Sequence, residues 1–139
     1  MKAMVVEDNK DARVLLTEQL RALGVETVGC GDGREAVDRY PTEKPDIVIM
    51  DVAMPQMDGL EATAQLRRID PDASIFVISA YSEDMIRRAA LAAGADRFFL
   101  KEEMDRMLAQ VCRRMGGEEE VKRRGEGVDS IRGAEKKEK

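Results

Sequence analysis

The sequence predicts an α/β fold: a doubly wound sheet of five parallel strands with helices on both faces. Three observations carry this. Short apolar runs such as Ile47-Val48-Ile49-Met50 are bounded by turn signals, the pattern of strands buried on both faces. Between them lie segments with apolar residues at three- and four-residue steps, the helical period. The two kinds of segment alternate five times, which implies a parallel sheet with right-handed crossovers. The 139 residues are enough for one domain with a substantial core and too few for two ordinary ones.

The first strand is read over 3–6 (Ala3, Met4, Val5, Val6) and ends in Glu7 and Asp8. Asn9 can cap the next helix, whose Ala12, Leu15, Leu16, Leu20 and Leu23 form the inward stripe and which Gly24 stops. A second strand is expected over 25–28. Asp32-Gly33-Arg34-Glu35 has the form of a capping box, opening a short helix to about Tyr40 with Pro41 beyond it. The third strand, 47–50, runs straight into Asp51. A turn through Met54, Pro55, Gln56 and Met57 leads to Asp58-Gly59, a cap and turn, and a helix over 58–69 with Leu60, Ala64 and Leu66 inward. Asp70-Pro71-Asp72 is a turn, and the fourth strand, 75–78, ends at Ser79. A fourth helix over 83–93 has an inner face of alanine (Ala89, Ala90, Ala92, Ala93) and stops at Gly94. Residues 97–100 make the fifth strand, ending at Lys101, and by default Phe98 belongs to the core. Met104, Met107, Leu108, Val111, Cys112 and Met115 mark an amphipathic last helix, closed by Gly116-Gly117. Residues 1–115 are thus expected to form the domain, and 116–139 a flexible charged tail too poor in apolar residues to bury a core.

Composition narrows the chemistry. The formal net charge is −5, and acids and bases balance over 116–139, so the whole of it sits on residues 1–115. An acidic body speaks against nucleic acid as the main partner. No window is apolar enough for a membrane span and the start of the chain does not read as a signal peptide, so a cytoplasmic location is expected. Cys30 and Cys112 have no C-x-x-C partner and are read as buried free thiols. Histidine is absent, which removes the usual general base and every Ser-His or Cys-His pair.

In a parallel sheet all the strand carboxyl ends lie on one rim, where open α/β sheets bind ligands. That rim would gather Glu7, Asp8, Asp51, Ser79 and Lys101. Carboxylates so close repel and raise one another's pKa, and a hard divalent cation with oxygen ligands, Mg²⁺ before Ca²⁺, resolves the conflict. A phosphoryl group could then sit against it, with Lys101 and Ser79 supplying donors. Taken singly each residue has a plainer role: a solvated cap pair, a surface lysine, a turn serine. Their joint placement at four strand ends is what carries weight.

Glu7-Asp8, Asp51 with Met54-Pro55-x-Met57-Asp58-Gly59, Ser79-Ala80 and Lys101 together resemble the receiver domain of two-component response regulators, over about residues 1–115. The resemblance implies a flavodoxin-like (βα)5 fold with strand order 2-1-3-4-5. It implies that Asp51 is the phosphoacceptor, taking its phosphoryl group from a phosphohistidine of a sensor histidine kinase or phosphotransfer protein. Asp8 and Asp51 would ligate Mg²⁺ directly, Glu7 mainly through water, and the Ala53 carbonyl would complete the protein ligands. Lys101 would pair with the phosphoryl oxygens. Ser79 would reach toward them, and Phe98, at the aromatic switch position, would follow it. The readout would be the face of the fourth helix, fifth strand and fifth helix, offered to an unidentified protein target. Such a protein phosphorylates and dephosphorylates itself without being a free-standing metabolic enzyme.

Several features depart from the family. Glu102 stands where many receivers carry proline after the lysine, and Phe98 lacks the hydroxyl of tyrosine. Ala53 and Tyr81 lie two residues beyond Asp51 and Ser79, flanking the route of an attacking water, and bulky Tyr81 is expected to shield an acyl phosphate. A dehalogenase-type phosphatase would need a second Asp where Ala53 stands. The glycines of Gly29-x-Gly31-x-Gly33 do not have the spacing of a dinucleotide-binding turn. Two other outputs stay open: a receiver-like module that docks without phosphorylation, and a relay intermediate or phosphate sink. No effector domain is expected within these 139 residues, so the chain reads as a stand-alone receiver or a piece of a longer protein.

Overall fold

The computed structural model describes residues 1–52 and 58–116. Strands β1 (Lys2–Val6), β2 (Glu26–Cys30), β3 (Ile47–Val52), β4 (Ile75–Ser79) and β5 (Arg97–Leu100) form one parallel sheet in the order β2-β1-β3-β4-β5. They alternate with helices α1 (Lys10–Ala22), α2 (Gly33–Glu43), α3 (Asp58–Ile69), α4 (Asp84–Ala93) and α5 (Met104–Gly116), with a 3-10 turn over Lys101–Glu103. The described residues divide into two units, one up to Met104 and one from Asp105 on. The first holds the whole sheet with α1 to α4. In the second, Met107 and Val111, one helical turn apart on α5, are fully buried.

Register divides the strand residues between the two faces. Met4 pairs with Val48 and Val48 with Ile75, so Met4, Val6, Val48, Met50, Val52, Ile75 and Val77 share one side. They pack with Ala36 and Tyr40 of α2, Leu60, Ala62 and Leu66 of α3, and Ile86 and Ala90 of α4. Ala3, Val5, Ile47, Ile49 and Phe76 alternate to the other side, where α1 buries Leu16 and Leu20. With both sides covered, Ile47 to Met50 are wholly buried, as an unbroken apolar run requires.

The helices differ from the sequence reading in instructive ways. On α1 the buried stripe is Leu16, Thr17 and Leu20, while Leu15 is 59% exposed: it lies about 100° around the helix from Leu16. Leu23 is the C-cap, past the last helical turn, and is 40% exposed. β2 begins and ends later than expected, at Glu26 and Cys30. α2 continues through Pro41 to Glu43, because a proline in the last turn costs only one backbone hydrogen bond. On α3 the inward residues are Leu60, Ala62, Thr63 and Leu66, with Ala64 half-buried, and on α4 Ala92 is exposed. Cys30 is buried but Cys112 only half-buried; both are free thiols.

Two contacts fix α3. Gly59 packs so tightly on the end of β3 that a Cβ there would lie 2.8 Å from the Asp51 carbonyl oxygen and 2.9 Å from Val52 Cγ2. Asp58-Gly59 is therefore more than a cap and turn. At the other end, Arg67 donates five hydrogen bonds: two to the Gly94 carbonyl, one each to the Pro71 and Ala73 carbonyls, and one to Asp96. Asp96 in turn accepts from the Ile75 amide at the start of β4. One guanidinium thus ties the last turn of α3 to the left-handed C-cap of α4 and to the entries of β4 and β5.

Arg67→Ala is expected to cost about 2–4 kcal/mol in urea unfolding, because it strips donors from carbonyls that are partly buried, and Arg67→Lys to recover less than half of that. Gly59→Ala should cost about 1–3 kcal/mol by overpacking against β3. Stability within about 0.5 kcal/mol of wild type for either alanine variant would contradict the packing described.

Candidate functional site

The carboxyl ends of the strands bring four of the expected residues together. β1 ends at Val6 and delivers Glu7 and Asp8; β3 delivers Asp51; and Lys101 opens the turn after β5. One carboxylate oxygen from each of Glu7, Asp8 and Asp51 lies within 4.8 Å of the others. Lys101 Nζ bridges two of them, 3.1 Å from Glu7 Oε1 and 3.3 Å from Asp51 Oδ2.

The local chain explains why these groups stay in place. The Glu7 amide continues the sheet by donating to the Cys30 carbonyl, and its own carbonyl accepts from Arg13 Nη1 at 2.7 Å. Glu7 Oε2 accepts from the Asn9 amide, while Asn9 Oδ1 caps α1 through the Ala12 amide. Glu7 is therefore buried, yet every part of it is held. Asp8, between these anchors, is exposed.

The electrostatics follow from crowding. The Asp51 side chain is only 6% exposed. Burial first, and then the facing Glu7 carboxylate, push its pKa up to about 7 against the opposing pull of Lys101. For Glu7, burial works against the charged form, but hydrogen bonding with Asp51, the Asn9 amide and Lys101 outweighs it and holds the pKa below the usual carboxylate range. Of the two, Asp51 is the group whose charged form the site disfavours. Burial alone would lower the Lys101 pKa, and the two carboxylates raise it above the ordinary lysine value.

Among the described residues, Asp51 Oδ1 is a buried side-chain oxygen with no hydrogen-bond partner. A carboxylate oxygen so placed needs either a proton or a cation. The donor set is three carboxylates and no nitrogen or sulfur ligand, which is the chemistry of a hard divalent ion with waters completing its shell. The residues present therefore fit Mg²⁺.

Ser79 is placed differently from Lys101. It ends β4 opposite Val52, one residue out of step with Asp51, and is fully buried. Its hydroxyl donates to the Tyr81 carbonyl at 3.1 Å and accepts from the Tyr81 amide at 3.0 Å, so it closes a local turn. Tyr81 itself is 42% exposed. Phe98 is partly buried against the core of α2, α3 and α4. Ala53, expected as a carbonyl ligand and a neighbour of the water route, lies outside the described residues, as do Met54 to Met57 and the tail from Gly117. Sequence reasoning passed over Arg13 and Arg67, since a lone arginine in a helix carries no signal of the carbonyls it will meet.

The comparisons with known proteins agree with this geometry. The family model for the response regulator receiver domain matches residues 3–113. The chain is 39% identical to the chemotaxis protein CheY of Thermotoga maritima over 101 residues, 72% of this chain and 84% of that protein. It is 42% identical over 104 residues to the transcriptional regulatory protein PdtaR of Mycobacterium tuberculosis, covering 72% of this chain but 49% of PdtaR, so it spans about half the length of that regulator. Among solved structures, the response regulator TrrA of Thermotoga maritima in complex with Mg²⁺ and BeF aligns with a TM-score of 0.69 at 30% identity, covering 79% of this chain and 97% of that one. A CheX–CheY–BeF3–Mg complex from Borrelia burgdorferi aligns with a TM-score of 0.70 at 26% identity, over 80% of this chain and 89% of that one. With a carboxylate cluster and bridging lysine on the rim of a 2-1-3-4-5 sheet, the chain belongs to the response regulator receiver domain family.

Proposed function

We propose that this chain is a phosphoacceptor receiver in which Asp51 takes a phosphoryl group from a phosphohistidine of a sensor histidine kinase or phosphotransfer protein. The observation that carries this is Asp51 itself: a buried carboxylate at the end of β3 with one oxygen unpartnered among the described residues and the other on Lys101. An Asp51 oxygen attacks phosphorus, the P–N bond to the donor imidazole breaks, and an acyl phosphate forms. Hydrolysis reverses the charge state: water attacks phosphorus, and inorganic phosphate leaves the restored carboxylate.

Asp8 and Asp51 would hold Mg²⁺ directly, with Glu7 acting mainly through water, and the bound ion would neutralise phosphoryl charge. Lys101 donates to the phosphoryl oxygens once Asp51 is phosphorylated. Ser79 must give up its bonds to the Tyr81 backbone before its hydroxyl can turn to the phosphoryl group. That exchange alters the chain just ahead of α4, and Phe98 on β5 would follow it, which gives a two-state switch read out by a protein target. The output is a conformation, and no free-standing catalytic role is assigned. Among the described residues no helix is long and apolar enough to cross a membrane. We place the chain in the cytoplasm, where the free thiols Cys30 and Cys112 are at home.

Incubation with acetyl phosphate and Mg²⁺ should add one phosphoryl group by intact mass, and neither Asp51→Asn nor metal-free protein should acquire it. Lys101→Ala should slow the addition about a hundredfold. No adduct on wild type, with a fluoroberyllate mimic also failing to bind, would favour a docking module independent of phosphorylation.

Asp51 also sets an unusual pH dependence. Its folded-state pKa is raised from 3.8 to about 7, so the metal-free fold holds a proton that the unfolded chain releases. Stability from this group is therefore full at low pH and is lost as pH rises through the folded value. Without metal, Asp51→Asn should raise Tm at pH 8 by several degrees, on the order of 1 kcal/mol, and change it little near pH 4. In wild type, stabilisation by Mg²⁺ should be larger at pH 8 than at pH 6, since metal and proton compete for Asp51. Thermal melts across pH, with and without MgCl₂, check both.

Tyr81→Ala should shorten the phosphorylated half-life several-fold by opening the water route, measured by loss of the mass adduct. An unchanged half-life would remove Tyr81 from that role.

A further inference from the structure

We infer that Arg13 is a positioning residue for the acidic cluster: it holds the Glu7–Asp8 peptide so that Asp8 is presented beside Glu7 and Asp51. This rests on reading the cluster as a Mg²⁺ site. Among the described residues, no side chain grips the Asp8 carboxylate, which is exposed, so its direction is set by its backbone. That backbone is clamped on both sides of Glu7. The amide is fixed by the Cys30 carbonyl of β2 at 3.0 Å, and the carbonyl, part of the Glu7–Asp8 peptide, by Arg13 Nη1 at 2.7 Å. A charged donor on a carbonyl makes a stronger bond than a neutral one, and here it fixes the plane of the peptide that carries Asp8.

Gly29 of β2, and Gly31 just beyond its end, both lie against the Arg13 side chain. A Cβ at Gly29 would lie 3.3 Å from Arg13 Cδ, and one at Gly31 would lie 3.6 Å from Arg13 Nη1. Among the described residues Gly24 and Gly94 are the glycines with positive φ, so neither Gly29 nor Gly31 needs glycine for its backbone. What Gly29 supplies is room, since a Cβ there would press on the Arg13 stem, whereas one at Gly31 would make ordinary contact with Nη1 and with Glu35 Oε1. The arginine stem passes over Gly29 and its guanidinium reaches the Glu7 carbonyl, and this accounts for Gly29 without any nucleotide. Arg13 itself is placed by the start of α1, its amide donating to the Asn9 carbonyl one turn back.

The test is Mg²⁺ binding to the full chain by calorimetry, together with metal-free thermal melts, for wild type, Arg13→Ala, Gly29→Val and the double variant. Arg13→Ala should weaken Mg²⁺ binding about tenfold, the size expected when a partner behind a metal ligand is removed. Gly29→Val, which crowds the stem of an intact Arg13, should weaken it in the wild-type background but add nothing once Arg13 is alanine. A structural role alone would lower Tm and leave the Mg²⁺ affinity within about twofold, and that result overturns the proposal. Additive losses in the double variant would overturn it too, since Gly29 would then act by another route. Absence of Mg²⁺ binding by wild type would overturn the metal-site reading itself and the proposal with it, an outcome distinct from wild-type binding that Arg13→Ala fails to change.

Discussion

The constraint on which the site depends is the placing of Asp51 and Glu7 face to face in a nearly dry corner of the sheet rim. In water two carboxylates would drift apart. Here β1 and β3 are hydrogen-bonded neighbours, with Val6 paired to Met50, and the residues following each pair cannot separate without unzipping the centre of the sheet. Lys101 answers part of the repulsion from the end of β5, 94 residues away in sequence from Glu7. One ammonium against three carboxylates leaves a net negative corner, and burial beside the Glu7 carboxylate raises the pKa of Asp51 in response. A fold built this way is poised to accept positive charge.

The rest of the first unit keeps that corner rigid. Gly59 seats the first turn of α3 directly on the Asp51 carbonyl, and buried Thr63 ties the turns of the helix together through the Gly59 carbonyl at 2.8 Å. The last turn of the same helix is stapled by Arg67 to the entries of β4 and β5. Tyr40 adds a second brace, its hydroxyl donating to Asp70 at the end of α3 at 2.7 Å. Side-chain hydrogen bonds to carbonyls and carboxylates at element ends thus do what the apolar faces cannot, which is to fix helix position along the sheet.

How much of this was legible depends on the kind of signal. Strand positions were, because a run such as Ile47-Val48-Ile49-Met50 has no other stable home than a strand covered on both sides. The rim residues were legible as a set because a parallel sheet brings every strand end to one edge, whatever the loops do. The strand order itself came with the family resemblance, since alternation alone does not rank the strands. Helix faces were read less well. Leu15 and Ala92 satisfied a three- or four-residue step yet lie outward, because the stripe that packs is chosen by the facing strands and α1 turns toward Thr17. Pro41 was read as an end where the helix continues, and Gly59 as a turn where it is a contact. Arg13 and Arg67 act through carbonyls supplied by distant segments, and no local pattern in the chain announces such partners.

Ser79 is held, in the resting state, by the backbone of the turn that follows it. Its hydroxyl is engaged by the Tyr81 backbone, one bond given and one accepted, so nothing pulls it toward Asp51 before phosphorylation. A phosphoryl group would change this balance by presenting charged acceptors, which outcompete a neutral carbonyl for a hydroxyl donor. On the proposed function the switch is therefore a contest between two acceptors for one hydrogen. The resting arrangement wins only until Asp51 is phosphorylated, and releasing Tyr81 frees the exposed turn next to α4 from Ser79, the buried last residue of β4. An exchange that turns one hydroxyl at the end of β4 and loosens a surface turn can be reversed each time the phosphoryl group is lost.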